Sequence, residues 1–158
     1  PDATLAPPGV PVWFAMASAC LHHLPLQSKT HVLRSLARSC PSFLLHELEG
    51  NHESPADGSP ALAFSVSRFY GALIDDLFHS PMSDAERGAC IHDFLLQEAF
   101  AILFRPFHER TNYHCMRNEW EHALRAGGYR ILDFQSTDTA PTGPTSMCFL
   151  CRAASGPR

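Results

Sequence analysis

The sequence predicts an α/β fold, and three observations carry that reading. Val10 to Leu24, VPVWFAMASACLHHL, is an apolar run too short to cross a membrane that breaks into the pair His22 and His23. Pro41 to His52, PSFLLHELEGNH, has the same form, an apolar strand ending in Glu47, Glu49, Asn51 and His52. Between the two, Val32, Leu33, Leu36 and Ala37 make one helical stripe. Strand, helix and strand in that order form a right-handed parallel unit. Ligands of open α/β sheets sit beyond the carboxyl ends of the strands, so two neighbouring strands with polar tips predict a site there.

The first strand is expected at about Val10 to Ala17, behind a Pro- and Ala-rich lead-in. Ser28 is positioned to cap the first helix, and Pro41 stops it before a second strand at Ser42 to Glu47. Gly50 to Pro60 is a polar loop. Val66, Phe69, Tyr70, Leu73, Ile74 and Leu77 then recur at helical spacing to about Phe78. Ser83 and Glu86 form a capping-box pattern for a further helix, running through Phe94, Leu95 and Ile102 to Phe104 before Pro106. These two helices, at about 60–106, read as a lid inserted after the second strand.

Beyond a polar segment, Phe107 to Met116, a helix carries Trp120, Ala123 and Leu124 on one face and ends at Gly127 and Gly128. Tyr129 to Phe134 and Ser146 to Cys151 read as two strands of an antiparallel carboxyl-terminal hairpin.

Bulk properties narrow the functions. The 158 residues are one domain's worth, and 45% hydrophobic with 18% charged residues is a globular composition. A net charge of −4 with arginines scattered along the chain predicts no nucleic-acid partner. No apolar stretch is long enough to span a bilayer and no basic leader is present, so no membrane association is expected. The six cysteines lie in apolar segments and are expected as free thiols in a reducing cytoplasm. Cys148 and Cys151 have CxxC spacing, but strand residues three apart face opposite sides, so no metal site is expected. The chain opens at Pro1 and enters its first strand within about ten residues, which reads as a fragment lacking the first strands of its sheet.

With this order of elements, the chain resembles the carboxyl half of a class I S-adenosylmethionine-dependent methyltransferase, whose sheet closes with an antiparallel pair. HELEGNH at His46 to His52 resembles the corresponding segment of GRAS-domain proteins and their bacterial methyltransferase-like relatives. SVSRFYGALIDDLF, Ser65 to Phe78, and RTNYHCMRNEWEHALRAGGY, Arg110 to Tyr129, are similar to the same group. The resemblance runs from Val10 to Cys151. It implies a partial Rossmann-like sheet and, for the longer parent protein, methyl transfer from S-adenosylmethionine to a small-molecule oxygen or nitrogen acceptor. The family's glycine-rich cofactor loop has no counterpart, because no GxG occurs in the chain.

On this resemblance Ala17, Ser18, Ala19, Leu21 and His22 would approach the cofactor. Glu47 and His52 are the candidate catalytic pair, with Glu47 or Glu49 accepting the acceptor's proton. His23, Glu49, Asn51, Tyr70, Arg110, Tyr113 and His114 would line the substrate. Arg110 has the geometry to hold a carboxylate bidentately. For each there is a structural alternative: histidines that cap or face water, a Glu47 that orders its loop, turn chemistry at Gly50 and Asn51, and a core Tyr70. A homodimer is conceivable. The alternative to an enzyme is a non-catalytic GRAS-like domain that binds a protein partner through the lid helices.

Overall fold

A computed structural model describes residues 12–138 and 144–154. Four strands, β1 (Phe14–Ser18), β2 (Ser42–Leu48), β3 (Tyr129–Asp138) and β4 (Thr145–Ala153), form one mixed sheet in the order β1-β2-β4-β3. Helices α1 (Leu26–Ala37), α2 (Pro60–His79), α3 (Asp84–Ala89), α4 (Leu96–Phe104) and α5 (Arg117–Ala126) complete the chain. β1 and β2 are parallel, with Ala17 opposite Leu45 and Ser18 opposite His46, so their carboxyl tips lie side by side. β4 runs antiparallel to both β2 and β3. The sheet is thus a partial Rossmann-like one with an antiparallel carboxyl-terminal pair. Within that pair β4 is interior and only β3 is at the edge.

Alternation sorts the strand side chains. Phe43, Leu45, Met147, Phe149 and Cys151 face α1 and α5 and build the main core with Leu33, Trp120, Ala123, Leu124 and Tyr129. The helices touch closely where Gly127 ends α5. A Cβ at Gly127 would stand 2.6 Å from the Leu33 Cβ and 3.0 Å from the Ala123 carbonyl oxygen. Neither of those atoms can swing aside, so Gly127→Ala is expected to lower stability by about 1–3 kcal/mol in urea unfolding. Gly128, with φ of 90°, supplies the left-handed residue that turns the chain into β3.

The lid has its own core. Leu62, Val66, Phe69 and Tyr70 of α2 pack on Leu95, Ala99 and Ile102, and Leu48 at the end of β2 joins them. Ser59 caps α2 through its hydroxyl and Pro60 occupies the first turn. The capping box of Ser83 and Glu86 opens α3, which continues through a π-helical stretch, Cys90–Leu95, into α4. Phe94, Phe100 and Phe104 remain exposed on the outer side of this second lid helix.

Several element boundaries differ from the sequence reading. β1 begins at Phe14, while Val10 lies outside the described residues. α1 begins at Leu26 and Ser28 does not cap it; instead the Leu26 N–H donates to Glu53 Oε1 at 2.9 Å. A distant carboxylate at a helix N-terminus satisfies the same orphan donors as a local cap. β3 and β4 are each longer than expected, because backbone pairing between them persists to Asp138 and Thr145 beyond the apolar alternation.

Candidate functional site

The tips of β1 and β2 are adjacent, but the space between them is filled. Glu47, the third inward-facing residue of β2, is fully buried and accepts from three donors of the loop after β1. These are the backbone N–H groups of Cys20 at 3.0 Å and Leu21 at 2.7 Å, and His22 Nδ1 at 2.8 Å. The Ala19 N–H donates to the His46 carbonyl at 2.9 Å, with Ala19 held at φ of 47°. That left-handed residue turns the following N–H groups toward the carboxylate. Glu47 therefore joins β2 to the β1 loop.

Residues 110–116 run between the two strand tips and seal them further. The Tyr113 N–H donates to the His22 carbonyl at 2.6 Å, and the His52 and Gly50 N–H groups donate to the His114 and Cys115 carbonyls at 2.9 and 3.3 Å. Rings stack along this seam. His22 lies 4.4 Å from His114 at an interplanar angle of 13°, and His114 contacts Phe69 and His52 at 4.5 and 5.3 Å. Burial depresses the His52 pKa to about 4; the Ser65 backbone opposes it, and the Arg110 charge adds a smaller push in the same direction as burial. Neither His52 ring nitrogen has a partner at hydrogen-bond geometry. His114 is driven in the same direction, chiefly by burial and then by the neighbouring histidines.

Most other polar groups of this region are committed, although both side-chain polar atoms of the buried Asn112 and Nδ1 of His114 lack a partner at hydrogen-bond geometry among the described residues. Arg110 is buried, pairs with Asp57 and donates to the His52 carbonyl at 3.2 Å. Tyr113 Oη donates to the carbonyls of Phe107 and Arg110, each at 2.8 Å. Tyr70 is buried in the lid core with its hydroxyl 3.3 Å from Glu98 Oε2, and burial pushes its pKa upward. His23 donates from Nδ1 to the Thr111 carbonyl at 2.9 Å and faces solvent. Beneath the seam the buried Lys29 donates to the Tyr113 carbonyl, to Cys115 Sγ at 2.9 Å and to Glu53 at 3.4 Å, and lies over the Trp120 ring. Burial nevertheless pushes the Cys115 thiol up to about 12.

An open cavity lies one step further along, beyond the ends of β2 and β4 and beneath the first half of α2. Its volume is about 390 Å³. Glu49, Asn51, Met116 and Thr145 line one side, and Phe64, Ser65, Arg68 and Phe69 the other. Glu49 Oε1 accepts the Arg117 N–H at 2.9 Å, which fixes the carboxylate at the N-terminus of α5 and leaves Oε2 without a partner among the described residues. The Asn51 side-chain oxygen is also unpartnered. Arg68 makes no hydrogen bond or ion pair among the described residues. Of the candidate site residues read from the sequence, Glu49 and Asn51 line this cavity. Ser65 and Arg68 were not singled out, although their i, i+3 spacing beside Phe64 and Phe69 sets a polar pair within the α2 stripe.

The residues proposed to hold S-adenosylmethionine do not fit that role by themselves. Ala17 and Leu21 pack against the main core, and His22 is bonded to Glu47. The N–H groups of residues 19–21 are all consumed by Glu47 and the His46 carbonyl, leaving only the exposed Ser18 and Ala19 at the tip. Ser18 Oγ in turn bonds His46 Nδ1 at 2.9 Å. Among the described residues no three His, Cys, Asp or Glu side chains stand together as metal ligands, and no helix is long and apolar enough to cross a membrane.

No protein-family model matches the chain, and no curated protein sequence matches it. Among solved structures it is similar to SCL7 of Oryza sativa, with a TM-score of 0.70 at 14% identity over 94% of this chain and 50% of that one. It is also similar to the mitomycin 7-O-methyltransferase MmcR, with a TM-score of 0.47 at 11% identity over 92% of this chain and 31% of that one. The methyltransferase CalO6 gives a TM-score of 0.47 at 12% identity over 89% and 36%. The chain therefore spans half the length of SCL7 and a smaller share of the other two. What it shares with SCL7 over nearly its whole length is the fold.

Proposed function

We propose that this chain is the acceptor-binding portion of a Rossmann-like methyltransferase, in a protein that moves a methyl group from S-adenosylmethionine to an oxygen or nitrogen of a small molecule. The observation that carries the proposal is the cavity under α2. It opens at the carboxyl end of β2, the end of a parallel strand at which α/β folds bind ligands, and its walls mix aromatic with polar groups. Within it the free oxygen of Glu49 is the group suited to accept a proton or hydrogen bond from an attacking hydroxyl or amine. Glu47 acts as a positioning residue instead, since its oxygens are taken by the β1 loop. β1 is an edge strand with Phe14 and Met16 exposed, which suits continuation of the sheet on that side.

A second reading is supported by the commitment of Glu47 and Arg110 to internal bonds and by the burial of His52: a non-catalytic GRAS-like domain that binds without transferring. Calorimetric titration of the longest protein containing this chain with S-adenosylhomocysteine separates the two. Heat of binding with a rise in Tm is expected for the methyltransferase; no heat and no shift would leave the binding domain.

A further inference from the structure

The walls of the α2 cavity differ in charge and in hydrogen-bonding sense, and that asymmetry specifies a ligand. Arg68 stands on α2 one turn after Phe64, so its cation and the Phe64 ring share a helix face. Across the cavity, Glu49 offers an acceptor oxygen held in place by the Arg117 N–H. Arg68 and Glu49 form no ion pair with each other, so each is open to a ligand group. Phe69 on the Arg68 side and Met116 on the Glu49 side add an aromatic ring and a thioether that favour contact with an aromatic body. At about 390 Å³ the space lies near the lower end of small-molecule pockets.

We infer that this cavity binds a single-ring aromatic acid bearing a hydroxyl or amine: the carboxylate on the Arg68 guanidinium, the ring between Phe64, Phe69 and Met116, and the hydroxyl or amine hydrogen donated to Glu49. The inference rests on the acceptor-cavity reading above and assigns its substrate class. Arginine suits the carboxylate because its fork matches both oxygens. The opposite wall is acceptor-only at Glu49, so it selects a donor and disfavours a second anionic group.

The test is a binding titration of the full 158-residue chain, followed by ligand-observed NMR, with 4-hydroxybenzoate, its methyl ester and benzoate. 4-Hydroxybenzoate is expected to bind about tenfold more tightly than either analogue. Arg68→Gln, which alters an exposed side chain with no hydrogen bond or ion pair among the described residues and should leave Tm unchanged, is expected to abolish the preference for acid over ester. Equal binding of acid and ester, unchanged acid binding by Arg68→Gln, or no binding of any of the three overturns the inference. Acid binding by this chain combined with no S-adenosylhomocysteine binding by the longer protein overturns methyl transfer and leaves the ligand class standing. Cofactor binding without acid binding does the reverse.

Discussion

Glu47→Ala is expected to lower the stability of this domain by about 3–5 kcal/mol, the range for removing one partner of a buried, hydrogen-bonded charge. The carboxylate is fully buried and is the common acceptor for the Cys20 and Leu21 N–H groups and for His22. Without it two backbone donors of the β1 loop lose their partner, and the left-handed turn at Ala19 rests on its N–H bond to the His46 carbonyl. Glu47→Gln keeps an acceptor oxygen for the backbone, and His22 can present its other tautomer to the new amide. Its expected cost is about 1 kcal/mol. Urea unfolding of the two variants measures both values, and a loss below about 1 kcal/mol for the alanine variant would remove Glu47 from its structural role.

Acidification is expected to weaken the fold through the histidine seam. His52 titrates at about 4 in the folded chain against 6.5 for the free side chain, so the native state disfavours its protonation. The unfolded chain binds the extra proton, and the stability present above pH 6.5 is lost as pH falls from there through about 4. The full loss from this one group is about 3 kcal/mol, and His114 adds to it with the same sign. The groups facing His52 are Arg110, His114, Tyr70, Phe69 and the Ser65 backbone, of which the last favours the imidazolium without outweighing burial. His52→Phe places an apolar ring where both nitrogens lack partners, and should flatten this part of the pH profile. Chemical unfolding at a series of pH values reads the slope directly, and an unchanged slope in that variant would mean that other groups carry the acid sensitivity.

Periodicity made much of the fold legible. The stripe Leu33 to Ala37, the alternation of β2 and the Ser83 to Glu86 box each state a local requirement in local residues, and the structure meets them. The cap of α1 was not legible, because it comes from Glu53 across the fold, and no spacing near Leu26 records it. The site shows the same division. The polar ends of β1 and β2 were visible as a pattern, but which carboxylate would be consumed depended on pairing between segments far apart in sequence. Glu47 and Glu49 look alike as strand-end residues two apart. Only the inward register of Glu47 sends it to the β1 loop, while Glu49, past the last paired residue, reaches the start of α5 and the cavity. Arg110 likewise had the chemistry to hold a substrate acid, and Asp57 occupies it first. Arg68 drew no notice because a charged residue on an amphipathic helix ordinarily faces water.

The division of labour between the two glutamates is the point on which the functional account turns. Methyl transfer by the protein containing this chain, measured together with Tm for Glu47→Gln and Glu49→Gln, tests it most directly. The account predicts a lower Tm with the rate per folded molecule retained for Glu47→Gln, and a rate reduced by about 10²-fold or more at unchanged Tm for Glu49→Gln. The opposite pattern, or no transfer by any of the proteins, would contradict it.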